Sequence, residues 1–217
     1  VSPHGRFVHV YLNGLYWGIY NLTERPAEDF SVSYFGGKPE DWDAINSGEI
    51  KSGSLTAWYP FISRVRTAAT LADYQKLKGL LADGSTDPAA PAFFDPTNYM
   101  DYMLLNIWGG NWDWPNKNFW FGRDRTTNST GFKFYMWDFE NTMGNDRARS
   151  PISMVSPRSG TENTWVGQPH FHLKNTLEYR IDFADRADPA AGRVVLRGRG
   201  GRQLASVSHV LYTGGRP

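Results

Sequence analysis

Acidic and amide side chains at the ends of one predicted strand pair are the residues best suited to chemistry. Four residues separate Asp113 from Asn118, a strand pair over 119–137 follows, and Asp138 comes directly after it, with Glu140 two residues later. Because a hairpin returns the chain to where it began, we expect Asp113 and Asp138 to lie side by side. Carboxylates grouped in this way repel one another, so the pattern favours a divalent cation with oxygen ligands.

This spacing has two interpretations. An Asp, four residues, an Asn, a strand pair and a further Asp form the layout of a protein-kinase catalytic loop and metal-binding aspartate. In that layout the first Asp receives the proton of the substrate hydroxyl, and the Asn and the second Asp hold Mg²⁺ on the phosphates. The alternative is an acidic rim on an aromatic hairpin that carries no chemistry. The spacing alone favours this alternative, because D-x-x-x-x-N is common by chance.

Composition narrows the function classes. The chain has 217 residues, 40% hydrophobic and 15% aromatic, which is enough for one sizeable core. The net charge of +1 indicates no strong attraction to nucleic acid or membranes, and the apolar runs are too short for a membrane span. The absence of Cys excludes disulfides, thiolate catalysis and Cys-bound metals. Because the sequence begins without Met, inside an apparent strand, we expect a fragment.

The N-terminal residues predict a hairpin. Segment 6–12 alternates apolar and polar residues, Asn13-Gly14 is a strong turn signal, and 15–23 forms the return strand. Gly18 within that strand indicates a bulge or a close backbone approach. An ordinary aromatic hairpin explains most of this pattern. The functional interpretation, which these residues favour less, is a flap over a phosphate group.

The middle of the chain is predicted to be mostly helical. A short helix over 27–35 precedes a turn-rich acidic segment, 38–54, in which Asp43, Glu49 and Lys51 are the chargeable candidates for a site. Three further helices are expected. Their ranges are 55–69, broken near Pro60; 71–83, closed by Gly84; and 97–110, which leads to the loop containing Asp113.

The C-terminal third is predicted to contain a long loop, a helix and a basic tail. A long loop after Gly144 carries Arg147 and Arg149, which either hold phosphate oxygens or lie in solvent. A helix is predicted over 169–187, and its two histidines are too few for a zinc site. Residues 188–217 have five Arg and no acid after Asp188, so we expect a basic tail that is disordered or foreign to the fold.

Four stretches together resemble the CotH kinase family, the atypical kinases first known from bacterial spore coats. The stretches are YLNGLYWGIYNLTE, NWDWPNKNFWF, FKFYMWDFENTMG and HLKNTLEYRIDFADR, in the family's order. The resemblance covers about residues 5–187. It implies an α+β, atypical protein-kinase-like fold with an N-terminal β-hairpin, a helical middle and an aromatic β-hairpin carrying the site. The domain is expected to span 1–187, N-terminally incomplete, with 188–217 as a separate tail.

The resemblance also implies an activity and its residues. The implied activity is phosphorylation of protein Ser/Thr with ATP and Mg²⁺, Mn²⁺ or Ca²⁺, outside the cell or on a spore coat. Asp113 is the implied catalytic aspartate. The other implied site residues are Asn118 for metal or phosphate, Asp138 and Glu140 for metal, and Glu24 and Lys51 for the nucleotide. Glu140 stands where the family usually has Asp, and Lys51 is only a candidate for the phosphate-binding lysine.

Two other functions remain open from the sequence. A non-catalytic cell-surface or spore-coat module on the same fold would use some of the 9 Trp and 11 Tyr to bind glycans or proteins. A metal-dependent phosphohydrolase would also use clustered carboxylates, but such sites commonly have additional His and Asp ligands.

Overall fold

The computed structural model describes residues 1–143 and 163–187. Within these ranges the fold is α+β, with two sheets and six α-helices, as the sequence predicts. The predictions for Arg147, Arg149 and the tail 188–217 lie outside the described residues. None of the described helices is both long and apolar enough to cross a membrane.

The N-terminal hairpin forms as predicted. Strands β1 (Gly5–Leu12) and β2 (Leu15–Thr23) pair antiparallel through Asn13-Gly14, whose φ angles of 49° and 81° suit the tight turn. The register shifts between Val10 and Tyr11, opposite Gly18, so the predicted bulge is present. Most side chains on both faces of this hairpin are exposed.

A five-stranded sheet forms the centre of the molecule. Its order is β4-β3-β6-β7-β5, and only the β5–β7 pair is parallel. The bounds are β3 Trp42–Asn46, β4 Glu49–Ser52, β5 Ala92–Phe94, β6 Trp120–Asp124 and β7 Thr130–Tyr135.

Three of these strands lie in segments of the middle of the chain that were predicted to be loops or turns. Segment 38–54 is not a turn-rich surface loop, because it contains β3 and β4 joined by Ser47-Gly48. The residues of β3 are buried on both faces, so they lack the alternation that predicts a strand. Strand β5 is only three residues long and lies in a Pro-rich stretch.

Six helices surround the sheet, and several of their ends differ from prediction. Their bounds are α1 Glu28–Phe35, α2 Trp58–Thr67, α3 Leu71–Leu77, α4 Pro96–Gly109, α5 Gln168–Leu173 and α6 Leu177–Ala187. Pro60 does not break α2, because it lies in the first turn, where its missing N–H leaves no helical bond unmade. Helix α3 ends before Gly79, whose φ is 72°, and not at Gly84. The single helix expected over 169–187 is two helices, α5 and α6.

One face of the sheet packs on α2 and α4. Phe121 stacks on Trp58 of α2 with ring centroids 4.2 Å apart, and Phe134 meets Tyr99 of α4 edge-on at 4.8 Å. All four rings are buried. Each buried aromatic side chain contributes roughly 1.5–3 kcal/mol, so this layer fixes the position of β6 and β7 on the helices.

The opposite face is covered by α1. Tyr135 of β7 contacts Phe30 of α1 edge-on at 5.2 Å, and its hydroxyl lies 2.9 Å from the hydroxyl of Ser31. Trp120 of β6 belongs to the same cluster. The strands that flank the candidate site are therefore held on both sides.

Candidate active site

Helix α4 and the β6–β7 pair bring the candidate residues to one rim. The helix ends at Gly109, and Gly110 adopts a left-handed conformation with φ 62°, which turns the chain toward Asp113. Asn118 lies just before β6, and Asp138 lies just after β7. Since Trp120 pairs with Tyr135, these two ends lie at the same edge of the sheet.

Asp113 is the most buried of the three acids at the rim, with 5% of its surface exposed. Its Oδ2 atom accepts hydrogen bonds from Nδ2 of Asn118 at 2.9 Å and Nδ2 of Asn141 at 3.3 Å, and Nζ of Lys117 lies 3.4 Å away. Its other oxygen, Oδ1, is buried and has no hydrogen-bond partner among the described residues. The carboxylate is thus held firmly through one oxygen and leaves the second to accept a further donor.

Asp138 and Glu140 form an acid pair at the exposed edge of the same rim. The pKa of Glu140 is raised above its ordinary value, chiefly by a hydrogen bond with Asp138, then by burial and by the charges of Asp138 and Asp113. Asn141 links the two parts of the rim, because its Nδ2 atom donates both to Asp113 and to Oε1 of Glu140, the latter at 3.0 Å. The structure therefore brings Asp113, Asn118, Asp138 and Glu140 together.

Two of these residues have an unusual backbone. The φ angle is 57° at Asn118 and 53° at Asp138, both in the left-handed region. Asn and Asp tolerate this region better than other non-glycine residues, but it still costs free energy and is concentrated at functional sites. The chain thus turns sharply at the end of each strand, where each side chain joins the rim.

The segment that carries the acid pair is anchored to the end of α4. The backbone N–H of Met143 donates to the carbonyl of Gly109 at 3.0 Å, and that of Trp112 donates to the carbonyl of Asn141 at 3.3 Å. Phe139 lies directly against Gly109, since a Cβ atom added there would be 2.4 Å from Cζ of Phe139. A glycine at this position therefore permits the acid pair to approach the Asp113 loop.

A cleft of about 350 Å³ lies beside Asp138. Asn21 and Thr23 at the base of the N-terminal hairpin form one wall, and Met136, Trp137 and Phe139 line the other. Its volume falls within the range of small-molecule sites. The cleft places the hairpin and the acid pair on two sides of one opening.

One protein family matches most of the chain. The family model described as CotH kinase protein matches residues 1–181 of the 217-residue chain. The chain belongs to the CotH kinase family. Membership confirms the resemblance inferred from the four sequence stretches, and it makes the chain a kinase-like protein. No curated protein matches the chain.

Glu24 and Lys51, which were predicted to bind nucleotide in this CotH family member, have partners other than the residues of the acidic rim. Glu24 ends the hairpin strand β2 and accepts hydrogen bonds from the backbone N–H of His4 at 2.8 Å and the hydroxyl of Tyr34 at 2.9 Å. The His4 bond is the largest cause of the lowered pKa of Glu24. Lys51 lies on the edge strand β4 and pairs with Glu49 at 2.5 Å. Within the described residues, no hydrogen bond or ion pair joins Lys51 to the rim.

The donor set at the rim fits a hard divalent cation in part. Asp138 and Glu140 supply two carboxylates, and the side-chain oxygen of Asn118 is a third candidate ligand. In residues 1–143 and 163–187 there is no group of three or more His, Cys, Asp or Glu side chains that could hold a metal. Mg²⁺ commonly binds through one or two carboxylates together with substrate phosphates, so two carboxylates are sufficient in that setting.

Sequence reasoning missed two members of the rim. Lys117 lies one turn from Asp113, at a spacing of four residues, which was a usable signal for an ion pair. Asn141 follows Glu140 in a loop without periodicity, and only the fold brings its amide to Asp113. Of the chargeable residues proposed in segment 38–54, Asp43 is buried in an ion pair with Arg125 at 3.0 Å, away from the rim.

Proposed function

We propose that this CotH family member is a protein kinase that transfers phosphate from ATP to serine or threonine side chains of proteins, using a divalent metal. The domain responsible spans residues 1–187, and 188–217 form a separate tail. The observation that carries the proposal is Asp113, a buried carboxylate with one oxygen held by amides and an ammonium group and the other without a hydrogen-bond partner in the described part of the chain. An acid with a purely structural role normally has hydrogen bonds to both of its carboxylate oxygens when it is buried.

Asp113 is proposed to receive the proton of the attacking hydroxyl through Oδ1. A buried acceptor without a partner costs about 1–3 kcal/mol, and a substrate hydroxyl that donates to it offsets this cost. Asn118 and Asn141 fix the plane of the carboxylate, so Oδ1 keeps one direction. Phosphoryl transfer depends mostly on such positioning and on charge neutralisation.

Asp138 and Glu140 are proposed to hold the metal, with Asn118 as the third ligand. A bound divalent cation neutralises the charge of the nucleotide phosphates. The raised pKa of Glu140 supports this role, because two adjacent carboxylates without a cation favour sharing a proton. Lys117, whose side chain is 64% exposed, is near enough to contribute a further positive charge at the rim.

The cleft between the hairpin and Asp138 is the proposed nucleotide site. Its walls come from the start of the chain, from β2 and from the segment after β7. Glu24 lies one residue beyond Thr23, at the base of the hairpin. Its carboxylate supports the hairpin while it is hydrogen-bonded to His4 and Tyr34, and it can bind the nucleotide when those bonds are broken. The location of the protein is proposed to be the cell surface or spore coat.

Phosphate transfer from radiolabelled ATP tests the proposal. The wild type is compared with Asp113→Asn and Asp138→Asn, with Mg²⁺ or Mn²⁺, on a Ser/Thr peptide mixture and on the protein itself. Loss of a general base typically costs 10²–10⁴-fold in rate, so we expect at least about 100-fold less labelling in Asp113→Asn. Asp29→Asn is the matched control, since Asp29 is exposed on α1, far along the chain from the rim.

Labelling that is equal in the wild type and both rim variants would refute catalysis by these residues. Phosphoamino-acid analysis then checks the substrate class, and label on tyrosine alone contradicts the Ser/Thr assignment. The Asp29→Asn variant must be labelled as strongly as the wild type, which shows that removing a carboxylate outside the rim does not reduce phosphate transfer.

A binding module on the same fold is the second candidate, and the hairpin favours it. Large apolar side chains project from both of its strands, including Phe7 at 75% exposed, Leu15 at 71% and Trp17 at 61%. Thermal unfolding with and without ATP and Mg²⁺ discriminates the two functions, because a ligand stabilises the folded state in proportion to its excess over Kd. No shift at millimolar nucleotide favours the binding module.

A further inference from the structure

A second cavity, of about 420 Å³, lies at the opposite end of strand β6 from the acidic rim. Asn118 lies just before β6, whereas Arg123 and Arg125 lie at its far end, and both arginines line the cavity. A strand of five residues spans roughly 17 Å. The two sites are therefore separate.

Arg123 is the central residue of this cavity. Only 5% of its surface is exposed, and its Nε and Nη2 atoms both donate to one acceptor, the carbonyl of Ala92, at 3.4 and 3.2 Å. Its guanidinium also lies over the rings of Phe93 and Phe132. Within the described residues no carboxylate lies within ion-pair distance of it. A buried guanidinium has five N–H donors and is normally paired, so this one has unused donor capacity.

The charge of Arg125 is already occupied. Its Nη1 atom donates to Oδ1 of Asp43 at 3.0 Å, and Ser54 N–H donates to the same oxygen at 2.7 Å. Gly53 makes this arrangement possible, since a Cβ atom there would be 2.1 Å from Nη1 of Arg125. The single acid that lines the cavity is thus neutralised, and Arg123 leaves the cavity with a net positive charge.

The other polar lining groups are hydroxyl donors rather than acids, and Ala57, Pro60, Pro91 and Phe93 form the apolar part of the lining. Helix α2 begins at this cavity, but its first turn has few free N–H groups, because Trp58 N–H donates to the carbonyl of Leu55 and Pro60 has no N–H. The N-terminal end of a helix carries a partial positive charge. Four side chains with hydroxyl groups line the cavity, namely Ser54, Thr56, Thr126 and Thr127.

We propose that this cavity binds a phosphomonoester, with the phosphate group seated on Arg123. A guanidinium and several hydroxyl groups offer donors from several directions, beside the partial positive charge of a helix N-terminus, which suits an anion with three terminal oxygens better than a planar carboxylate. The cavity is larger than a single ion requires and is in the range of small-molecule sites, so the phosphate carries an organic group such as a phosphorylated serine side chain. The proposal does not depend on phosphate transfer at the rim.

Titration of ¹⁵N-labelled protein tests the proposal directly. The probes are O-phosphoserine, inorganic phosphate, serine and acetate, in EDTA, so that no metal-bridged anion binds at Asp138. We expect O-phosphoserine to shift the Arg123 Nε–H resonance, which Arg123→Lys identifies by its loss. Serine and acetate leave it unchanged. Stronger binding of O-phosphoserine than of inorganic phosphate assigns the ligand to a phosphorylated side chain, and equal binding by acetate overturns the phosphomonoester class.

A matched pair of charge variants locates the site. Thr127 is exposed and lines the cavity, whereas its neighbour Asn128 is exposed and is outside the lining. Thr127→Asp is expected to weaken O-phosphoserine binding about tenfold or more, and Asn128→Asp, with the same charge change, less than about twofold. Equal effects of the two variants, or no saturation at about 10 mM ligand, overturn the proposal. Neither variant alters a core residue, so the test does not depend on a destabilised fold.

Discussion

The contact between Gly109 and Phe139 predicts that a single methyl group will disturb the acid pair. Gly109 is the last residue of α4, and Phe139 stands between Asp138 and Glu140. In Gly109→Ala the new Cβ atom meets Cζ of Phe139 at 2.4 Å, a distance at which the ring must move. Because Phe139 is joined directly to both acids, we expect the acids to move with it.

The magnitude follows from two opposing effects. Replacing Gly by Ala in a helix adds up to about 1 kcal/mol of stability, and Gly109 has a helical backbone that Ala can adopt. Overpacking costs typically 1–3 kcal/mol. We therefore expect the free energy of unfolding to fall by no more than about 3 kcal/mol. Displacement of a catalytic group by about 1 Å costs on the order of 100-fold in rate, so we expect phosphate transfer to fall about 100-fold in protein that is still folded.

A double-mutant cycle measures the contact independently of activity. Urea unfolding of Gly109→Ala, Phe139→Leu and the double variant gives the coupling, which we expect to be about 1–2 kcal/mol because Leu lacks the atoms that collide. The double variant should also regain part of the transfer rate. Effects on stability that add within about 0.3 kcal/mol would refute the reasoning, since residues in contact do not add.

Two further predictions concern stability alone. Gly131→Ala should lower the free energy of unfolding by about 3 kcal/mol or more, because φ is +95° and the added Cβ lies 2.6 Å from the backbone N of Phe94. Gly84→Ala, with φ +85° and open space around it, should cost only about 1 kcal/mol of strain. Urea unfolding measures both, and equal costs would contradict the steric account. Burial lowers the pKa of His170 to about 3. The unfolded state therefore binds the proton first, and the free energy of unfolding falls by roughly 1.4 kcal/mol per pH unit from this group as pH drops below about 6.5 toward 3. His170→Asn should flatten that slope, measured by urea unfolding at several pH values.

Elements with strong local signals were predictable from the sequence. The Asn13-Gly14 turn fixed the register of the first hairpin, and Asp95 and Gly110 marked the two ends of α4. In each case the signal is a backbone conformation or a cap that few residues can provide. The second hairpin, β6 and β7, was predictable from two aromatic runs on either side of a polar turn.

Strands that are held by the rest of the fold were not predictable. Strand β3 lies inside the sheet, and its Asp43 is buried only because Arg125, distant in sequence, pairs with it. Strand β5 forms because β7 lies beside it, and its three residues carry no period of their own. The Ser47-Gly48 turn was the local signal that could have revealed the β3–β4 hairpin.

The candidate site was predictable in its residues and not in its contacts. Spacing and resemblance selected Asp113, Asn118 and Asp138, and the hairpin argument placed them together. The amide bridge from Asn141 could not be predicted, because it depends on how segment 138–143 packs against the end of α4. The roles assigned to these residues stay predictions until the variants are measured.

The rim contains non-glycine residues with positive φ angles and a buried carboxylate oxygen without a hydrogen bond in the described part of the chain. Asn13 and Ser47 also have a positive φ, but each precedes a glycine in a two-residue turn, where that conformation is required. Asn118 and Asp138 precede no glycine and end no such turn. Oδ1 of Asp113, which has no hydrogen-bond partner within residues 1–143 and 163–187, lies at the same rim. Folding alone would select against each of these features, so their presence together at one edge of a well-packed sheet is best explained by selection for function.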